Sequence, residues 1–135
     1  MVMKINHIGI VVKNIDEVVA FLKGAFGAEE TSRHEYPELN HISALVQIGD
    51  SCLEIMEPSS PDGIISKFLE TKGGGLHHIS LLCKDVETLS KKLETQGLQV
   101  IGRTSEGPFK LAFLHPKTSK GILFELSERP SLSFK

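Results

Sequence analysis

The chain of 135 residues has no tryptophan, a single tyrosine, two cysteines and three arginines. Each shortage excludes something. Few aromatics leave little material for the anchors that dominate protein-binding hot spots. Two cysteines, Cys52 and Cys83, cannot build a disulfide framework and suit a reducing compartment. No apolar run approaches the roughly 20 residues needed to span a bilayer. The N-terminus alternates polar and apolar residues and lacks the apolar core of a signal peptide. A net charge of −2 supplies no broad basic field, so nucleic acid is not an expected partner. With 40% hydrophobic and 24% charged residues, the expectation is a soluble, cytoplasmic domain of ordinary size without a membrane partner.

What the chain does have is a repeat. Shifted by 71 positions, His7–Asp16 (HIGIVVKNID) falls over His78–Glu87 (HISLLCKDVE). Both copies run from a histidine through an apolar stretch to lysine and then Asn or Asp. A helical pattern follows each: Ile15, Val18, Val19 and Leu22 in the first copy, Val86, Leu89 and Leu93 in the second. Those spacings give each helix one apolar face. Asn14 and Asp85 stand where an N-cap oxygen would accept from the first turn, and Gly27 and Gly97 follow the last turns.

Three short strands are expected after each helix: Ala28–His34, His41–Ile48 and Ser51–Met56, then Leu98–Arg103, Phe109–Leu114 and Lys120–Leu126. A tight Gly49-Asp50 turn joins the second and third. Ser60-Pro61 reads as the start of a linking helix with Ile64, Ile65, Phe68 and Leu69 on its apolar face, and Gly73–Gly75 as a flexible link. Each half is therefore β-α-β-β-β. The single domain, 1–135, divides into module one over 4–58, a linker helix over 60–75 and module two over 76–128. The tail from Ser127 to Lys135 carries little pattern.

The offset that aligns His7 with His78 also aligns Glu54 with Glu125, each inside an otherwise apolar strand. A carboxylate on the inner face of a sheet needs a partner or it neutralises. A metal supplies one, and two halves giving one His and one Glu each would assemble a His₂Glu₂ site. Any one of these residues alone is unremarkable, and the coincidence of both pairs with a repeat found from apolar pattern carries the reading. His77 must point to the opposite face from His78 and reads as a non-ligand. His34, His41 and His115 lack a repeat partner and are expected at the surface or rim. Cys52 reads as a small buried residue, Gly73–Gly75 as a linker lacking nucleotide-loop spacing, and Lys110, Lys117 and Lys120 as a solvated cluster.

Five segments carry a family likeness: Asn6–Val12 (NHIGIVV), Leu53–Pro58 (LEIMEP), Gly75–Ile79 (GLHHI), Phe113–Lys117 (FLHPK) and Gly121–Leu126 (GILFEL). The chain resembles the vicinal oxygen chelate superfamily, the glyoxalase and dioxygenase clan of paired β-α-β-β-β modules, from Ile5 to about Glu128. Within that clan it most resembles the methylmalonyl-CoA epimerase family. The likeness implies an α+β fold in which two tandem modules form a curved mixed or antiparallel sheet around a metal-binding cavity. It also implies metal ligands at His7, Glu54, His78 and Glu125, an acyl-CoA substrate and a homodimer. Some members have Gln at the second ligand position, and some carry an acid in the strand reading here Ile42-Ser43-Ala44-Leu45, where this chain has none.

The function implied is epimerisation of methylmalonyl-CoA by α-proton abstraction. Two histidines and two carboxylates leave room for two substrate oxygens in an octahedral sphere, favouring cobalt, nickel, manganese or zinc over calcium. Glu125 is the candidate for one proton-transfer role, since a carboxylate ligand can loosen and take a proton. Glu38 is the candidate for the other. A glyoxalase I-type isomerase shares the architecture but must hold glutathione carboxylates, usually with arginine, and Arg33, Arg103 and Arg129 lie outside the expected cavity strands. A ring-cleaving oxygenase needs only two histidines and one carboxylate. A non-catalytic binding protein of the antibiotic-resistance type would stack ligands on aromatics, which are sparse.

Overall fold

A computed structural model describes residues Met1–Arg129. It is α+β: β1 (Val2–Val11), α1 (Ile15–Phe26), β2 (Glu29–Tyr36), a 3-10 turn (Pro37–Leu39), β3 (His41–Ile48), β4 (Ser51–Pro58), α2 (Ile64–Lys72), β5 (Gly75–Cys83), α3 (Val86–Thr95), β6 (Val100–Glu106), β7 (Phe109–Leu114) and β8 (Phe124–Glu128). The order β-α-β-β-β occurs twice, as the repeat requires. Backbone proximity divides the described residues into two compact units, Ile8–His77 and Met1–His7 with the residues from His78 onward.

In the Ile8–His77 unit the strand order is β2-β3-β4-β1, with β1 parallel to β4 and the remaining pairs antiparallel. Alternation along the strands sets which side chains meet α1. Ala44, Val46 and Ile55 pack with Ile15 and Leu22 of the helix. Ser43, Glu54 and Met56 therefore leave the sheet on the opposite face, where Met56 and Val11 pack against Ile65 of α2.

The second unit repeats the plan in the order β1-β5-β8-β7-β6, with β5 parallel to β8. Ala112, Leu114 and Leu126 pack with Val86 and Leu89 of α3. Phe113 and Glu125 consequently face away from that helix. Eight strands of mixed sheet result among the described residues.

Both repeat helices begin with the same two devices. Asn14 Oδ1 accepts from Glu17 N–H at 3.0 Å, and Asp85 Oδ1 accepts from Thr88 N–H at 2.9 Å. The Thr88 amide, with its hydroxyl, holds the Asp85 carboxyl below the usual carboxylate range. A strand carboxylate reaches the first helical amide as well: Glu57 accepts from Ile15 N–H at 2.7 Å and Glu128 from Val86 N–H at 2.9 Å. Each is three residues beyond a candidate ligand glutamate, so the strand carrying that glutamate is tied to a helix N-terminus. The positive end of the helix dipole favours the anion there.

Several boundaries differ from expectation: β2 runs over Glu29–Tyr36, β4 continues to Pro58 and β6 runs over Val100–Glu106, and three further differences have a visible cause. The linking helix starts at Ile64, not Ser60, because Ser59 N–H donates to Asn40 O at 3.0 Å and Ser60 Oγ to Asn40 Oδ1 at 3.1 Å. Gly63 lets the chain pass Asn40: its φ is +97°, and a Cβ there would stand 3.1 Å from Asn40 Cβ. The last strand starts at Phe124, not Lys120, because the chain first turns on Pro116 and Ser119, with Gly121 N–H donating to Pro116 O at 2.7 Å. Ser127 and Glu128 belong to β8, not to a patternless tail. Residues 130–135 lie outside the described residues.

Candidate metal centre

β1 brings His7 to the sheet and β5 brings His78, and both imidazoles are buried. Their Nε2 atoms face each other at 3.1 Å. The Nδ1 of His7 lies 2.8 Å from Asn6 Oδ1. An amide oxygen only accepts, so Nδ1 carries the proton and the lone pair of His7 sits on Nε2, aimed at His78. Glu125 is buried beside His7, with Oε1 at 3.6 Å from its Nε2 and no hydrogen-bond partner for that oxygen among the described residues.

Two imidazole nitrogens, a carboxylate oxygen short of a donor and a tautomer fixed by a neighbouring amide are the donor chemistry of a divalent cation site. The spacing agrees. Nitrogens each about 2.1 Å from one ion and at right angles would stand about 3.0 Å apart. Removing the tautomer lock should loosen such a site without removing a ligand. Asn6→Ala is expected to weaken metal affinity by about 10–100-fold, measured by competition with a chelator. Unchanged affinity would mean that Asn6 does not orient His7.

Glu54 stands in the other unit. It is half-buried on β4, and its Oε2 accepts from Ser43 Oγ at 2.9 Å. Register places Glu54 on β4 as it places Glu125 on β8. Glu54 pairs with Gly9, two residues after His7 on β1, and Glu125 pairs with Ser80, two residues after His78 on β5. Residues two apart share a face, and partners in adjacent strands share it too. In both halves, then, the histidine and the glutamate rise from the same side of the sheet.

The remaining residues singled out by sequence fall as follows. Glu38 is exposed on the 3-10 turn after β2. His77 packs its ring against Phe68 at 4.9 Å, a structural role on the face opposite to His78. His34 is exposed, and His115 folds into its turn, accepting from Lys117 N–H at 3.1 Å. His41 corrects the rim expectation. It is 8% exposed, its ring centroid lies 5.2 Å from that of Tyr36, and its buried Nδ1 has no hydrogen-bond partner among the described residues. Its position opposite Tyr36 in the β2–β3 ladder buries it, a pairing invisible to local pattern. Cys52 is buried, and that burial pushes its thiol up to about 11. It remains protonated at neutral pH. Sequence reasoning missed the Asn6 lock, although its adjacency to His7 was the available signal.

Residues 6–113 match the family model of the Glyoxalase/Bleomycin resistance protein/Dioxygenase superfamily. The chain is 34% identical over 128 residues to the uncharacterized protein YqjC of Bacillus subtilis, covering 93% of this chain and 91% of that protein. It is 30% identical over 132 residues to the mitochondrial methylmalonyl-CoA epimerase of Homo sapiens, covering 93% of this chain and 73% of that protein. A solved structure of Streptomyces coelicolor methylmalonyl-CoA epimerase superposes with a TM-score of 0.88 at 28% identity, covering 97% of this chain and 100% of that one. The chain belongs to the glyoxalase, bleomycin-resistance and dioxygenase superfamily, where its relatives include methylmalonyl-CoA epimerases.

Proposed function

We propose that this chain epimerises 2-methylmalonyl thioesters of coenzyme A, removing the α-proton from one face of the substrate and returning it to the other. The enzyme class is that of an epimerase, the class named for its relatives. The Streptomyces coelicolor relative is solved with 2-nitronate-propionyl-CoA and another epimerase with methylmalonyl-CoA, and those ligands support an acyl-CoA substrate here.

The observation that carries the reading is the doubled register: His7 with Glu54 and His78 with Glu125, each pair set by the same step along a parallel strand pair. These four residues would hold the cation, for which cobalt, zinc, nickel and manganese are the candidates. When bound, the cation supplies Lewis acidity that stabilises negative charge on the thioester oxygen as the α-proton leaves.

Everything else falls to the protein. Asn6 keeps the Nε2 lone pair of His7 available. The Ser43 hydroxyl satisfies one oxygen of Glu54 and thereby orients the other. Glu125 Oε1, short of a hydrogen-bond donor, is the atom proposed to hold the transferred proton. Glu38 is proposed for the opposite substrate face. Two of the arginines are already engaged at the surface, Arg33 with Asp16 and Glu30 and Arg103 with Glu94, which leaves them poorly placed to serve a glutathione carboxylate.

The test is deuterium exchange at the α-carbon of methylmalonyl-CoA in heavy water, followed by NMR with a parallel methylglyoxal–glutathione assay. Exchange is expected in the first and no turnover in the second. A fully metal-loaded enzyme that exchanged nothing would overturn the proposal.

A further inference from the structure

Glu125 has two lateral neighbours in the sheet. On one side β5 supplies Ser80 and on the other β7 supplies Phe113, its Cα partner. Partners in adjacent strands share a face, so the apolar surface directly beside this carboxylate is the Phe113 ring.

That ring is held from both sides. It stands edge-on to the His78 imidazole, with centroids 6.4 Å apart and planes at 84°. Across it the β6 backbone closes in at Gly102, where a Cβ would stand 3.2 Å from Phe113 Cδ2. The β6–β7 register breaks between Ile101 and Thr104, and Gly102 adopts a φ of +60° within the break. This is a bulge that admits the aromatic ring by dispensing with a side chain. Phe113 itself stays half-buried, and register sets its side chain on the face that carries His78 and Glu125.

An α-carbon within proton-transfer distance of Glu125 carries an alkyl group as well as the proton, and that group needs an apolar surface. We propose that Phe113 is the specificity-determining wall for the α-substituent, setting which 2-alkylmalonyl thioesters are accepted. The inference rests on the epimerase reading and goes beyond it to the size of the acyl side chain. With the β6 bulge on one side of the ring and the imidazole on the other, an alkyl group longer than the gap is rejected by sterics rather than by lost polar contacts.

The test compares methyl-, ethyl- and propylmalonyl-CoA by α-deuterium exchange in the wild-type enzyme, in Phe113→Ala and in Phe113→Leu. Elemental analysis accompanies each assay and identifies variants that keep their metal. One methylene against a fitted wall is worth about 10–200-fold in kcat/KM. Phe113→Ala should therefore raise the ratio of propyl to methyl substrate by about tenfold or more, with Phe113→Leu intermediate. Leucine fills more of the ring's space, which keeps the comparison open should the alanine variant fold poorly. Unchanged ratios in metal-loaded variants that still exchange would overturn the wall while leaving the epimerase reading intact. A metal-loaded wild-type enzyme exchanging none of the three would overturn both.

Discussion

Alanine at His78 should leave the purified protein without its cation, whereas alanine at the adjacent His77 should not. The two imidazoles are one residue apart on β5 and project to opposite faces. His78 is buried with its Nε2 at 3.1 Å from that of His7, while His77 packs against Phe68. Loss of a partner that merely orients a ligand costs about 10–100-fold in affinity, so loss of the ligand itself should cost more than about 100-fold. Elemental analysis after gel filtration reads the difference directly, and exchange at the substrate α-carbon should fall with the metal. Circular dichroism separates this from unfolding, because His78→Ala leaves the β5–β8 backbone ladder in place. Full metal retention by His78→Ala would remove His78 from the site.

The features visible in the sequence were those repeated at one offset or set by near neighbours. β3 and β7 run over the expected residues, since alternating apolar residues bounded by turn formers leave little choice. The two N-caps lie where a short polar side chain precedes an apolar helix face. His7, Glu54, His78 and Glu125 stood out because two independent pairs shared the spacing of 71 residues that separates His7 from His78.

Features created by contacts across strands and turns were not legible. Asn40 delays the linking helix from 20 residues away in sequence, and Tyr36 covers His41 from the neighbouring strand. Gly102 reads as a strand glycine until Phe113 is placed beneath it. Glu57 and Glu128 were available to the same offset comparison. Their role emerges only when β4 meets α1 and β8 meets α3, each pair bridged by a hydrogen bond between residues 42 apart in sequence.

Glutamine at Glu125 should separate holding the cation from moving the proton. The amide has the shape of the carboxylate and retains an oxygen that can coordinate, so much of the bound metal should survive elemental analysis. What it lacks is basicity. If Glu125 carries the transferred proton, Glu125→Gln should slow α-deuterium exchange by about 10²–10⁴-fold, the contribution expected of a positioned general base. The fall should appear in kcat more than in KM, because substrate contacts outside the proton path remain. Glu54→Gln is the contrasting variant. Glu54 is proposed only as a ligand and its Oε2 already accepts from Ser43, so an amide there should reduce metal affinity more than it slows exchange in the loaded enzyme. Comparable exchange in loaded Glu125→Gln and wild-type enzyme would assign proton transfer to another group. A loss equal in the two variants would show that the glutamates act alike, through the metal alone.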